Sequence, residues 1–306
     1  MNELLSPEKV AEIVDAHYPL GKPVFCKLIR RGFNDHYLVH LEGGRFVFRV
    51  YLNGKYYIES FEDYAFELEL LDHLHRDNVP VAHALSLVNG ERLGRVGTKQ
   101  GERAFALFSY VPGVEADRES LTLEQSFRLG KTMAEMHLSL NRFRSRKGRY
   151  RLDLTYLVEE PLRLISAEIG KNSSGLASQE EQAALAEVVE GLGPIDDLVA
   201  TVEQIDCSGD EFGLIHADMN LGNVRFQGDE PWLYDFDHCG FGWRAYDVSI
   251  CRLLPAPQGE AMLHGYESVR TLSASERGCL ATFSTLRRLW NVGDMMATES
   301  LRGEAR

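Results

Sequence analysis

No run in the chain approaches the roughly 18 consecutive apolar residues of a membrane-spanning helix. The first residues, MNELLSPEKVAEIV, carry charge too early for the apolar core of a secretory leader. Neither a membrane-spanning nor a secreted product is therefore expected. Cysteine is sparse: Cys26, Cys207, Cys239, Cys251 and Cys279 are odd in number and form no CxxC pair. That pattern argues against a disulfide or zinc framework and for reduced thiols in the cytoplasm. Basic charge is also short, with 33 Lys and Arg against 46 Asp and Glu for a formal net charge of -13. The one dense basic run is RFRSRKGRYR, over residues 142–151. A nucleic-acid binder would show a broader basic footprint, so no such partner is expected. Neither GxGxxG nor a Walker A pattern occurs, and nucleotide phosphates would have to be held without such a loop.

What is present is apolar material enough for one large domain or two ordinary ones, 44% of 306 residues. The chemistry concentrates in FGLIHADMNLGNVRFQGDEPWLYDFDHCGFGWRAYDVS, residues 212–249. An apolar start (Phe212, Leu214, Ile215) runs into HADMNLGN, whose polar groups a core strand would not choose. His216, Asp218, Asn220 and Asn223 therefore fall on a loop. Val224 and Phe226 then alternate as a short strand, residues 227–230 turn, and residues 232–234 return as a second strand before Asp235-Phe236-Asp237. A hairpin brings its ends together, so Asp218 and Asn223 should share one pocket with Asp235 and Asp237. Carboxylates this close repel one another unless a cation, a proton or a donor intervenes. Mg²⁺ accepts hard oxygen ligands and keeps positions open for substrate phosphates. Asn223 and Asp235 suit the ion, and Asp218 suits the proton of an attacking hydroxyl, which is the arrangement of phosphoryl transfer.

The pattern HxDxxxxN, a hairpin, DFD and then YD resembles the aminoglycoside phosphotransferase family, the kinase-like small-molecule phosphotransferases that include choline and homoserine kinases. The form DFDxCGFGxxxYD looks most like its bacterial branch that also holds stress-response Ser/Thr kinases and spectinomycin phosphotransferases. The resemblance implies that Asp218 is the catalytic base, that Asn223 and Asp235 hold the metal with Asp237 as an accessory acid, and that His216 and Asp247 brace the loop. His238 departs from the Asp common at its position in this branch, and it is read as a hydrogen-bonded histidine beside the site. The implied fold is α+β, a two-lobed protein-kinase-like fold. Its small antiparallel-sheet lobe spans residues 1–112 and binds the nucleotide, and its mostly helical lobe spans residues 113–306. The implied cofactors are ATP and Mg²⁺.

In chain order, Ser6 and Pro7 open a helix with Val10, Ile13 and Val14 on one face. Residues 24–29, 37–41 and 46–51 read as strands, and residues 58–74 as a helix with Phe66, Leu70, Leu71 and Leu74 at core spacing. By the resemblance, the turn at residues 31–35 covers the phosphates with help from Asn34, and Arg49 replaces the usual phosphate-pairing Lys. Glu67 is then the partner of Arg49, and the backbone from Ser109 to Val111 meets the adenine. Residues 84–88 and 103–111 complete the sheet.

Beyond it, a helix from Leu123 carries His137 as a core histidine, and Pro161 splits the helical stretch 152–165. Residues 170–175 read as a break and 180–192 as an acidic helix. Residues 246–254, 259–269 and 275–299 read as closing helices. Tyr156, Glu159, Arg287 and Trp290 could face an acceptor, but packing or exposure explains each equally well. The expected activity is ATP- and Mg²⁺-dependent phosphorylation of a hydroxyl on a small molecule, aminoglycoside-like or amino-alcohol in type. Ser/Thr protein phosphorylation and a nucleotide-binding pseudokinase are the alternatives. A homodimer is compatible with the sequence.

Overall fold

The computed structural model describes residues 3–99, 101–171, 194–205 and 209–302. Helix α1 (Pro7–His17) starts where Ser6 accepts a hydrogen bond from Lys9 N at 3.2 Å and Pro7 needs no N–H partner. A five-stranded antiparallel sheet follows: β1 (Phe25–Arg31), β2 (Asn34–Leu41), β3 (Gly44–Tyr51), β4 (Gly94–Thr98) and β5 (Gly101–Ser109), in spatial order β1-β2-β3-β5-β4. The two-residue period of a strand divides its faces. Phe48 and Val50 of β3, with Phe105 and Leu107 of β5, pack toward Val10 and Val14 of α1. Tyr51, Ala104, Ala106 and Phe108 belong to the opposite cluster, together with α2 (Phe61–Arg76) and the helical part of the chain. Arg49 lies on that second face, toward α2. This alternation is what turns one basic residue of β3 into the interior.

One expectation is corrected here. Residues 84–88 form no strand: Ala84 makes a single bridge to Phe108, and the fourth strand is GRVGT, Gly94–Thr98. An edge strand with two glycines lacks the apolar alternation that betrays a strand. The helical stretch expected in two pieces is in two, a π-helical turn, Thr155–Glu159, and α4 (Glu160–Lys171), which meet one residue before Pro161.

Helix α3 (Leu123–Leu140) begins at a capping box of Thr122 and Gln125 and packs against the helix Ala256–Glu267. Gly130 and Gly265 let the backbones touch, since a Cβ on either would run into the carbonyl of Met262 or Phe127. Two small sheets link this part to the hairpin: one sets β6 (Val114–Glu115) beside β9 (Val224–Gln227) and β10 (Glu230–Leu233), in the order β10-β9-β6, and the other sets β7 (Arg151–Leu152) and β8 (Phe212–Ile215) on either side of β11 (Gly240–Trp243). The stretch expected as helix 246–254 is Arg244–Val248 followed by a 3-10 turn, Ser249–Leu253. The last expected helix is two, Ala274–Gly278 and Leu280–Arg302. The expected helix at 180–192, most of the break at 170–175, and Cys207 lie outside the described residues. Among those described, no helix is long and apolar enough to cross a membrane.

Candidate active site

Strand β8 (Phe212–Ile215) delivers the chain to His216, and the loop beyond is held from beneath. Asp247, fully buried, accepts the backbone N–H of His216 at 2.8 Å and of Ala217 at 3.0 Å, which fixes Ala217 in the left-handed region at φ 68°. His216 Nε2 lies 3.0 Å from the Tyr234 carbonyl. Arg287 donates to the carbonyls of Met219 at 2.9 Å and Tyr246 at 2.7 Å. Thus Arg287, an ambiguous candidate in the sequence, lies buried under the loop. Asp218 is oriented by two amides: Asn220 donates to its Oδ1 at 2.9 Å and Asn223 to its Oδ2 at 2.8 Å. Both carboxylate oxygens are thereby aimed without being neutralised.

His137 is the core histidine expected. Its Nδ1 is 2.8 Å from the Tyr266 hydroxyl and its Nε2 is 3.3 Å from Asp247. Burial pulls its pKa down to about 4 against the pull of Asp247. A histidine neutral in the fold but titrating near about 6.5 when unfolded takes up a proton on unfolding between those values. Stability is therefore full above the unfolded value and falls as the pH drops toward the folded one, by about 1.4 kcal/mol per pH unit. Urea melts at pH 7 and pH 5 are expected to differ by about 2 kcal/mol through this residue. In His137→Gln the pH dependence should lessen by that amount, the part carried by His36 remaining.

The hairpin pairs β9 (Val224–Gln227) with β10 (Glu230–Leu233) around Gly228, whose φ is 65°. Tyr234 N donates to the Asn223 carbonyl at 3.1 Å, so Asn223 and Asp235 leave the strands at the same open end. Asp235 is left-handed, φ 65° and ψ 60°, a conformation that Asp tolerates better than most residues.

Arg49 crosses from the sheet to this end. Its Nη1 reaches Glu67 Oε1 at 2.7 Å and its Nη2 reaches Asp235 Oδ1 at 3.0 Å. Its Nε donates to His36 Nε2 at 3.2 Å, and the Phe108 ring lies 4.6 Å beneath. One planar fork therefore makes three contacts that a single ammonium could not reproduce together. Burial, reinforced by Arg49, pulls His36 down to about 4, so its ring is neutral near pH 7 and can accept that bond. Burial pushes the Asp235 carboxyl up, but Arg49 overrides it and holds the group below the usual carboxylate range. Glu67, wholly buried, also accepts from Tyr51 OH at 3.0 Å. Burial raises its carboxyl in spite of Arg49.

Two expected roles change. Asn34 does not offer its side chain to phosphates: its Nδ2 donates to Asp237 Oδ2 at 3.0 Å and its Oδ1 accepts from Lys55 Nζ at 2.7 Å. Asp237 in turn is held by Lys55 at 2.7 Å and by Tyr57 OH at 2.9 Å. Burial pushes its carboxyl up, but Lys55 holds it well below the usual range. Both side chains are consumed by a lysine that the sequence reading passed over. Ser109 also cannot offer its N–H to a purine, because that group is bonded to the His83 carbonyl at 2.9 Å. Val111 lines the cleft.

The cleft between sheet and hairpin has a volume of about 400 Å³ and is walled by Leu38, Val47, Leu71, Ala82 and Phe108, with Arg49 and Asp235 at one end. A second cavity of about 140 Å³ is lined by Asp218, Asp235, Asp237, His238 and Asp294. The two share Arg30, His36 and Asp235, so a largely apolar chamber adjoins a small acidic one. His238 is buried against Tyr57 and Trp290, with ring centroids 4.3 and 4.9 Å away, and its Nε2 lies 3.6 Å from Asp294. Tyr156 stacks on Tyr56 at 6.0 Å, and Glu159 is exposed.

Arg30, one residue from the end of β1, and Asp294 also line the inner cavity, and neither is expected from the sequence. Asp294 carried a signal, because it falls four residues after Trp290 on the apolar stripe of its helix. Among the described residues no three His, Cys, Asp or Glu side chains converge as a metal-holding group. The fit for a divalent ion is sparser. The amide nitrogen of Asn223 is spent on Asp218, which leaves its oxygen as a donor, and Arg49 holds one oxygen of Asp235. One carboxylate, one amide oxygen and nucleotide phosphates make a sufficient set for Mg²⁺, so the residues fit an ion that arrives with a nucleotide.

Known proteins resemble this chain in sequence and in fold. The chain is 28% identical over 276 residues to the homoserine kinase of Brucella ovis, covering 86% of this chain and 76% of that protein. It superposes on the structure of a microcompartment-associated aminopropanol kinase with a TM-score of 0.72 at 26% identity, over 97% of this chain and 92% of the other. An amicoumacin kinase, solved with AMP-PNP, Ca²⁺ and Ami, superposes with a TM-score of 0.73 at 18% identity, over 94% of this chain and 85% of that one. The fold is thus the α+β kinase-like one expected. A family model described as the phosphotransferase enzyme family, APH, matches residues 26–279, and the chain belongs to that family.

Proposed function

We propose that this phosphotransferase moves the γ-phosphoryl group of Mg-ATP onto the hydroxyl of a small amino alcohol, as a cytoplasmic enzyme. Residues 1–112 form the nucleotide-binding lobe in this reading, and residues 113–306 the catalytic and acceptor-binding lobe. The observation that carries it is Asp218, aimed by Asn220 and Asn223 in an acidic cavity of about 140 Å³ that adjoins the larger cleft. The apolar walls of that cleft take the purine, with the backbone at Val111 along its edge. Arg49 and the exposed Arg30 draw the phosphates toward Asp235.

Asp218 accepts the hydroxyl proton as the acceptor oxygen bonds to the γ-phosphorus and the bond to the bridging oxygen breaks, releasing ADP. Asn223 and Asp235 would hold the divalent ion, which when bound neutralises charge on the phosphate oxygens.

The amine half of the acceptor follows from the second cavity. Asp294 shares it with Asp218, and burial, with Asp218 adding to it, pushes the Asp294 carboxyl well above its usual range. An ammonium placed between them offsets that repulsion. Homoserine and aminopropanol, the substrates that two relatives are named for, each pair an amine with a hydroxyl. Asp294→Asn is expected to raise KM for the acceptor about tenfold or more, with a smaller change in kcat, because a hydrogen bond to a charged group is worth about 1.5–3 kcal/mol. Steady-state kinetics at saturating ATP would show it.

The volume of the inner cavity favours a small acceptor over a protein serine. An ADP-release screen over amino alcohols, aminoglycosides, sugars and Ser/Thr peptides tests this, with Asp218→Asn as the control. Stimulation by amine-bearing alcohols is expected. Stimulation by peptides alone would establish the protein-kinase reading. Nucleotide binding without turnover for any acceptor would establish a pseudokinase.

A further inference from the structure

Lys55 follows β3 in a short loop, and its ammonium is fully buried against the hairpin. It lies 2.7 Å from Asp237 Oδ2, an oxygen that also accepts from Asn34 Nδ2 at 3.0 Å and Tyr57 OH at 2.9 Å. Three donors on one carboxylate oxygen leave it no lone pair for a metal. The other oxygen, Oδ1, is buried and makes no hydrogen bond among the described residues. The backbone of Asp237 is pinned as well: Arg149 donates to its carbonyl and, at 2.6 Å, to that of Cys239. Asp237 stands two residues beyond Asp235 and lines the same inner cavity as Asp218. A fixed protein cation therefore sits on an acidic group that shares the inner cavity with Asp218 and Asp235.

Resting on the phosphotransfer reading above, we infer that the Lys55 ammonium occupies the place of a second divalent ion on Asp237. The enzyme then works with one exchangeable divalent ion, at Asn223 and Asp235, and with Lys55 as a permanent cation on Asp237. Arg49 spreads its charge over two carboxylates, Glu67 and Asp235, and so leaves Asp235 charge to offer an ion. The compact ammonium of Lys55 is matched to Asp237 alone, and a divalent ion on Asp237 Oδ1 would stand within a carboxylate's width of it, with no charge left over to offset the repulsion. The lysine stands on the loop after β3 and the aspartate just beyond the hairpin, so the second charge is in place before nucleotide arrives and does not depend on metal concentration.

Mn²⁺ stoichiometry in the presence of AMP-PNP, read by electron paramagnetic resonance, tests the inference without reference to turnover. Wild type is expected to bind one Mn²⁺ per chain. Lys55→Met, which strands the Asp237 charge, is expected to bind two, and its lowered melting temperature should recover as Mn²⁺ is added. The double variant Lys55→Met/Asp237→Asn removes both charges. It should melt above Lys55→Met in the absence of metal and bind one Mn²⁺. Two Mn²⁺ on nucleotide-bound wild type would overturn the assignment of Lys55 and leave the phosphotransfer reading standing. So would Lys55→Met binding no more Mn²⁺ than wild type. Wild type that bound neither AMP-PNP nor Mn²⁺ would overturn both.

Discussion

Asp218→Asn is expected to lower kcat by about 10²–10⁴-fold, the usual contribution of a positioned general base. The substitution keeps the shape of the side chain but removes the group that takes the hydroxyl proton. One of the two amides now aimed at Asp218 would meet another NH₂, a loss of about 1 kcal/mol. The melting temperature should therefore fall by no more than about 2–4 °C, and the affinity for ATP, bound in the outer cleft, should hold. Kinetics and thermal melts on the same preparation separate the two effects. A folded variant whose kcat falls only a few-fold would remove Asp218 from the proton-transfer step.

The largest stability effect is expected at Arg49. Its guanidinium joins Glu67 on α2 to Asp235 on the hairpin, and Glu67 is wholly buried. Arg49→Met leaves two carboxylates without their shared cation. Breaking one partner out of a buried pair costs about 3–5 kcal/mol, most of it from the stranded charge. Glu67→Leu should cost less, because Asp235 still meets the guanidinium. The double variant should cost less than the sum of the two, since the residues act as a unit. Arg49→Lys preserves charge but gives up the bond to His36 and the planar fork, so an intermediate loss is expected. Urea unfolding of the four proteins would measure this coupling. Strict additivity would mean that the ion pair is incidental to the fold.

The loop and hairpin were legible in the sequence because each step there has a local physical cause. Polar residues interrupt a strand, Gly228 turns the chain, and a two-residue period returns it, so the meeting of Asn223 and Asp235 at one end needs no tertiary information. The Arg49–Glu67 pair was expected from the family resemblance alone, and the structure supplies its physical cause: a strand face and a helix face that point at each other. Lys55 was not legible, because the loop LNGKYY has no period to say where a side chain goes. Only the folded hairpin brings Asp237 to it. The roles expected of Asn34 and Asp237 changed with it, since both side chains are spent on that lysine. Strand β4 was missed because its glycines hide an edge strand. Asp294 was visible in principle as a carboxylate on a buried stripe, and what made it informative was the nearness of Asp218, which no spacing in the sequence expresses.

The decisive measurement is phosphorus NMR of the purified protein incubated with Mg-ATP and an amino alcohol drawn from the ADP-release screen. A phosphate monoester resonance on the acceptor should grow in step with ADP, and with Asp218→Asn in place of wild type it should be nearly absent. Growth of inorganic phosphate alone, or ester formation that persists undiminished in Asp218→Asn, would contradict hydroxyl phosphorylation at this site.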